Sequence, residues 1–279
     1  TGRNDIVSSM PRNNRSFFYP SVAGAFVFTA LEGVQNNILT FGKLRASYAE
    51  VGQAGDYYES FYAVPTYSGG FSSGTPIIYP IGVVTSFTPN SILYDPNLKP
   101  QNTKAYEIGT DLTFYNGLID LNYTFSRQNV KDQIFAVPLG GSSGYSSLVT
   151  NGGRVHTNAH ELTLNIAPFR EGDFKWNFGF NFSKIDNYVD ELQDGVESIF
   201  LGGFTEPQVR AGISDKYPVI YGVSYLRIDA GQIVVDAKGM PQAGDERVIG
   251  NVSPDFLLGF NTRFEYKKLR LAAVLEWKQ

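Results

Sequence analysis

The residue types that usually carry chemistry are sparse in this chain, and their spacing limits what they can do. His156 and His160 stand four apart, a spacing that pairs metal ligands on a helix. On a strand it separates them by about 13 Å, too far for one ion. Asp190, Glu191, Asp194 and Glu197 form an acidic run, and a carboxylate pair can hydrolyse a glycoside. That reaction needs a fixed separation and one raised pKa, for which the start of a loop is a poor setting. Asp229-Ala230-Gly231 and Asp236-Ala237-Lys238-Gly239 lack the spacing and closing glutamate of a calcium loop and read as turns. The chain has no cysteine, which excludes disulfides, thiolate ligands and cysteine nucleophiles. No Ser/His/Asp constellation or phosphate-binding glycine loop is evident. The sequence therefore points to no enzyme, no cofactor and no metal site.

The remaining candidates are aromatic. Residues 53–100 contain Tyr57, Tyr58, Phe61, Tyr62, Tyr67, Phe71, Tyr79, Phe87 and Tyr94, with Asp56 and Glu59 among them. A tyrosine ring can stack on a sugar face or grip a peptide while its hydroxyl makes hydrogen bonds. The plainer alternative is that a loop this long builds a small aromatic core of its own. The expectation is a ligand-facing loop in which Asp56, Tyr57, Tyr58, Tyr62 and Tyr67 meet an oligosaccharide or peptide. Tyr145, which crowns the SSGYSS segment at 142–147, joins them as a candidate.

The elements that must position these loops are strands. In KWNFGFNFS, residues 175–183, Trp176, Phe178, Phe180 and Phe182 alternate with Asn177, Gly179, Asn181 and Ser183. Period-2 alternation puts the aromatics on one face of a strand and the polar residues on the other. The same pattern recurs in AYEIGTDLTF, LIDLNYTFS, HELTLNI, FLLGFNTRFEY and LRLAAVLEW, and less cleanly in FYPSVAGAFVF and KLRASYAEVG. The count is about nine strands with no amphipathic helix, an all-β chain.

The connections fall into two unequal classes. Tyr115-Asn116-Gly117, residues 170–173, Lys267-Lys268 and residues 32–37 are short, and Asn-Gly suits the positive φ of a type I′ turn. Residues 53–100, 138–156 and 189–253 are long excursions, the last including a small hairpin at YLRIDAGQIVVDAKGMP. Short turns at one end and long loops at the other are the mark of a transmembrane antiparallel β-barrel with extracellular loops. Strands of nine residues tilted by about 40° project to roughly 23 Å, near the height of such a barrel's apolar band. On this reading Trp176, Phe178, Phe180 and Phe182 face lipid. The charges Lys43, Arg45, Glu107, Asp111, Asp120, Glu161, Arg263, Glu265 and Arg270 line the lumen, where alternating signs suit cross-strand pairs.

Aromatic residues make up 14% of the chain and charged residues only 18%, low for a water-exposed surface. A formal charge of -4 gives no basic footprint for nucleic acid. The chain ends at Gln279 inside a strand pattern, and bacterial barrels have even strand numbers with no free edge. The expectation for residues 1–279 is a partial barrel domain. The competing expectations are a passive outer-membrane porin or receptor barrel, and a secreted soluble β-sandwich that binds glycans.

KLRASYAEVGQAG, LKPQNTKAYEIGTDLTFYNGLIDLNYTFSRQNVKDQI, SSGYSSLVTNGGRVHTNAHELTLN, DFKWNFGFNFS and GNVSPDFLLGFNTRFEYKKLRL occur in that order. In this the chain resembles SusC/RagA-type TonB-dependent outer-membrane transporters across residues 12–279. The resemblance implies the C-terminal part of a 22-stranded barrel in a Gram-negative, Bacteroidetes-like outer membrane. It also implies active import of glycan or peptide fragments, a plug domain and TonB coupling supplied by the missing N-terminal part, and a SusD-like surface lipoprotein as partner. The family often shows Asn-x-Gly before the glutamate of one strand, whereas here Asn158 is followed by Ala159-His160-Glu161.

Overall fold

The computed structural model describes residues 1–55, 91–193 and 195–279. Its strands are β1 (Gly2–Ile6), β2 (Ser16–Val27), β3 (Leu39–Gln53), β4 (Ile92–Tyr94), β5 (Gln101–Phe114), β6 (Ile119–Lys131), β7 (Ile134–Pro138) and β8 (Ser147–Asn151). They continue with β9 (Arg154–Phe169), β10 (Phe174–Glu191), β11 (Ser198–Gly203), β12 (Gln208–Gly212), β13 (Val219–Tyr225), β14 (Ala243–Asn251), β15 (Leu257–Tyr266) and β16 (Leu269–Lys278). Among the described residues the helical segments are three short 3₁₀ turns.

Nine strands form one antiparallel sheet in the order β1-β2-β3-β5-β6-β9-β10-β15-β16. Each strand neighbours the next one of the wall in sequence, as hairpin connections demand. Register is continuous through mid-strand, with Phe178 opposite Ile166 and Thr262 and Phe180 opposite Leu164 and Phe260, and shifts against β9 between Trp176 and Phe178. A slip by one residue would exchange the two faces, so the alternation read from sequence also fixes the pairing.

The short connections lie where they were expected, with revised limits. Lys267 and Lys268 join β15 to β16, with Lys267 at φ 53°. The Asn-Gly turn is wider than a two-residue hairpin, because Tyr115, Asn116 and Gly117 all have positive φ and Leu118 closes the loop on Phe114 O at 3.1 Å. The β2–β3 turn runs over 28–38, longer than the stretch 32–37.

Apart from β1, which has five residues, the wall strands are longer than nine, reaching 18 in β10. Aromatic alternation stops where the apolar face stops, but the hydrogen-bond ladder continues. On the face of Phe182 the next residues are Lys184, Asp186, Tyr188 and Asp190. On the opposite face Ile185 and Val189 flank a single remaining amide, Asn187, which accepts from Thr157 at 2.7 Å. The two faces of β10 thus exchange character at Ser183.

The long excursions carry structure of their own. β4, β8 and β7 form a three-stranded sheet, and β11 to β14 a four-stranded one. Beyond β13, Leu226 pairs with Val234 and Gln242 to make two nested turns in place of a single hairpin. The compact apolar cores belong to these modules. Met10, Leu98 and Val149 form one, and Val189, Leu192, Ile199 and Ala211 the other. The aromatic and aliphatic face of the large sheet has no such cover among the described residues: Val22 is 66% exposed, Ile108 63% and Leu275 64%.

Candidate functional site

Of the ligand candidates read from the sequence, the structure describes Tyr145, at the looped end of the wall. Asp56, Tyr57, Tyr58, Tyr62 and Tyr67 lie outside the described residues, as does Asp194. Tyr145 is described and exposed, at the tip between β7 and β8. Its tip is built by Gly144 at φ 78° and by Ser143, whose Oγ donates to Gly140 O at 2.7 Å and accepts from the Tyr145 amide at 3.2 Å.

The structure joins the two excursions that hold these candidates. The Ser146 amide donates to Ser91 O at 2.7 Å, and β4, the exit of the first excursion, pairs in parallel with β8. Asn151 secures the base: its Nδ2 donates to Lys99 O and Asp132 O at 2.7 and 2.8 Å, and its Oδ1 accepts from the Lys99 amide at 2.6 Å. The SSGYSS tip is therefore seated on a sheet.

The second module packs onto the wall through the reversed part of β10. A cavity of about 210 Å³ lies there, lined by Phe135, Val155, Val189, Leu192, Ile199 and Tyr217. Lys216 holds the contact from the side, 3.1 Å from Asp186 and 3.3 Å from Asp255. The Asp186 carboxylate, by its hydrogen bond and charge, keeps the Lys216 ammonium above its ordinary pKa, with Asp255 adding to the effect against partial desolvation.

The polar face of the sheet is a ladder of satisfied charges. Arg45 on β3 donates to Glu107 at 2.7 Å, then crosses β5 to reach Thr124 at 2.5 Å and Asn122 at 3.3 Å on β6. Gly109 makes this crossing possible, since a Cβ there would lie 2.8 Å from the guanidinium carbon. Asp111 meets Lys43 at 2.5 Å and accepts from Asn122, and Glu265 meets Arg270 at 2.9 Å. Cross-strand ion pairing is present for six of the nine charges expected to line this face; Asp120 instead accepts from Thr113 at 2.8 Å, and Glu161 and Arg263 make no ion pair among the described residues. Beside the ladder lies a concavity of about 380 Å³ that includes Asn122, Thr124, Glu161, Asn181, Ser183 and Glu276. It offers amides, hydroxyls and carboxylates to whatever occupies the interior.

The opposite face is an aromatic cluster. Trp176 stacks on Phe264 with ring centres 5.2 Å apart and meets Phe178 at 5.1 Å, and Phe180 meets Phe260 at 5.0 Å. The indole N–H of Trp176 donates to Thr262 at 3.0 Å, so even its one polar atom is satisfied within the sheet.

The weaker candidates resolve into local structure. His156 binds Asp190 at 2.7 Å, whereas His160 binds the Tyr123 hydroxyl at 2.9 Å, so the two histidines serve different strands. Asp236 accepts from the amides of Lys238 and Met240 at 2.8 and 2.9 Å, ordinary turn bonding with its Gly239 at φ 81°. Among the described residues no group of three or more His, Cys, Asp or Glu could hold an ion.

A hairpin-connected sheet with an uncovered apolar face, an ionic opposite face and loops at one end is the wall of an outer-membrane β-barrel. The chain belongs to the family described as TonB dependent receptor-like, beta-barrel, whose model matches residues 1–237. TonB-dependent receptor P3 of Formosa agariphila is 28% identical over 96% of this chain. TonB-dependent receptor SusC of Bacteroides thetaiotaomicron is 23% identical, again over 96%. The chain spans 28% of the length of each of these relatives. Among solved structures, the RagAB peptide importer in its open-open state matches 99% of this chain and 30% of its own, with TM-score 0.76 at 20% identity. The SusC/RagA likeness read from the ordered motifs is thereby established, and with it the partial barrel and its outer-membrane location. A soluble β-sandwich is overturned, since its apolar faces would pack on each other.

Proposed function

We infer that this chain forms part of the wall and mouth of an outer-membrane importer that takes up oligosaccharide or peptide fragments. The observation that carries the reading is the uncovered apolar face, which needs lipid as its solvent, combined with structured modules at one end only. Trp176, Phe178, Phe180 and Phe182 face that lipid. Asn177, Gly179, Asn181 and Ser183 face the lumen, together with the Arg45 ladder.

Residues 1–279 act as one barrel portion, whose lumen is filled by a plug domain encoded elsewhere in the protein. The names of the relatives support the rest: SusC is a TonB-dependent receptor and RagAB a peptide importer. Import is energised through TonB, and a SusD-like surface lipoprotein covers the mouth. Ligand meets the aromatic excursion through Asp56, Tyr57, Tyr58, Tyr62 and Tyr67, and meets Tyr145 beside it.

The test is uptake of labelled oligopeptides and oligosaccharides by cells lacking the full-length gene. Uptake of one class should disappear, return with the wild-type gene and disappear again when TonB is removed. Uptake that survives loss of TonB would make the protein a passive pore. Purification from detergent-solubilised outer membranes without any surface lipoprotein would remove the proposed partner.

A further inference from the structure

The polarity reversal seen on β10 recurs on its neighbours at staggered positions. On the aromatic face the run of ring and aliphatic residues ends at Tyr106 on β5, Phe125 on β6, Leu162 on β9 and Phe182 on β10, with Tyr188 returning a ring to that face higher on β10. The next residue on that face is Lys104, Arg127, His160 and Lys184 respectively. Four adjacent strands thus begin their polar outer stretch with a nitrogen base.

The register tests whether these four form a line. Lys104 is opposite Asn129, so Arg127 lies two residues lower; Arg127 is opposite Asn158, so His160 lies two lower again; His160 is opposite Lys184. A drop of four residues across three strand spacings is a slope of about 40° to the hydrogen-bonding direction, the tilt of strands in membrane barrels. In a barrel so tilted the four bases stand at one height, along about 20 Å of the outer wall. This is the face that carries the exposed ring and aliphatic side chains, Tyr106 and Ile108 among them, so on the lipid-facing reading it looks away from the lumen.

Their partners leave charge unspent. Glu50 takes Lys104 at 3.3 Å and Asp186 lies 3.6 Å from Lys184. The Arg127 side chain bonds only the neutral Asn129, at 3.2 Å, among the described residues. Lys131, two positions above Arg127 on the same face, is exposed and has no carboxylate partner among them. Uncompensated cations just beyond an apolar band match the level of lipid phosphates.

We propose that Lys104, Arg127, His160 and Lys184, backed by Lys131, form a docking line for the phosphorylated headgroups of outer-leaflet glycolipid. The proposal rests on the aromatic face being lipid-facing. The full-length protein would be placed in nanodiscs of phosphatidylcholine containing either lipid A or dephosphorylated lipid A, and retained glycolipid counted by native mass spectrometry. Lipid A should be retained in preference to its dephosphorylated form. Arg127→Gln and Lys131→Gln should each weaken retention about fivefold, and both together about thirtyfold. Lys267→Gln, in the short turn at the far end, should change nothing. Equal retention of the two glycolipids, equal loss with Lys267→Gln, or displacement of lipid A by an equal concentration of inorganic phosphate would overturn the proposal. A nitroxide at Phe180→Cys tests the underlying reading separately: quenching by oxygen and not by a water-soluble nickel chelate supports it, and the reverse removes it whatever the headgroups do.

Discussion

The two halves of β10 share one strand and one face, yet they present opposite chemistry. From Phe174 to Phe182 the outer face is a packed aromatic row; from Lys184 to Asp190 it is ionic, with His156 of β9 bonded to Asp190. The inner face reverses in the complementary sense, from Asn177 and Asn181 to Ile185 and the fully buried Val189. Backbone pairing distinguishes the halves on one side only: the ladder to β9 is continuous from Phe178 to Val189, whereas β15 pairs with β10 only from Phe174 to Ser183. On the proposed lipid-facing reading the solvent distinguishes them too: below Ser183 the outer face meets lipid and the inner face water, and above it Val189 on the inner face joins the core of a folded module. The change of side-chain environment thus coincides with the loss of β15 as a neighbour, while the pairing with β9 runs on.

The largest test of this contrast is a charge placed in each half. Phe180→Arg should cost about 2–4 kcal/mol of folding stability in bilayers, because a guanidinium is forced near mid-membrane. Tyr188→Arg on the same face above the reversal should cost about 0–1 kcal/mol, and Asn181→Arg on the inner face should be similarly mild. Urea titrations in liposomes measure all three. Equal losses would erase the distinction between the halves and return the strand to a single solvent.

How much of this was legible follows from the same contrast. The lower half is written in the sequence because strict alternation of rings and amides admits one periodicity, and six of the nine wall strands follow from it, whereas β2 and β3 keep it less cleanly and β1, with the sequence GRNDI, does not show it. The upper half is not, since Lys184-Ile185-Asp186-Asn187 keeps period 2 with weaker and inverted polarity, so the strand reads as ending near Ser183. The inversion itself was the available signal, and it also marks Lys104, Arg127 and Lys184. The short strands of the modules, three residues in β4 and five in β12, carry too few positions for any period and depend on partners distant in sequence. Tyr145 was recognisable as a tip residue. Its link to the tyrosine-rich excursion was not, because that link consists of the Ser146 to Ser91 bonds and a parallel pairing.

A smaller effect should come from the inner ladder below the reversal. Arg45→Met leaves Glu107 without its 2.7 Å partner and removes the crossing to β6. The site is partly open to water, so the loss should be about 2 kcal/mol, at the lower end for hydrogen bonds to charged groups. Gly109→Ala should reproduce part of this loss while every charge remains, because its Cβ displaces the guanidinium. If Gly109→Ala is silent in the same titration, the crossing contributes nothing. In the modules, Ser146→Ala deletes the hydroxyl bond to Ser91 O at 3.0 Å, and about 1 kcal/mol of local protection should disappear from the amides of 139–147. Exchange measured by mass spectrometry should leave β9 and β10 unchanged; slowing or speeding of the whole wall would mean that module and wall unfold together.

The smallest effect concerns the joint between the two regions. Lys216 ties the second module to Asp186 on upper β10, and its ammonium is held above the ordinary 10.5. A lysine whose pKa is raised by folding contributes stability that is fully present below its unfolded pKa and is lost as pH rises through the folded value. Lys216→Met should therefore lower the urea midpoint by an amount worth about 0.5 kcal/mol for a partly exposed pair, constant across neutral pH. Wild type and variant should converge once the medium is more alkaline than the folded pKa, above 10.5, because the wild-type ammonium is then discharged. Convergence on the acid side instead would assign the effect to Asp186 and Asp255 losing their charge. A gap that persists in alkali would assign it to packing of the lysine stem against the wall, with the ion pair contributing nothing.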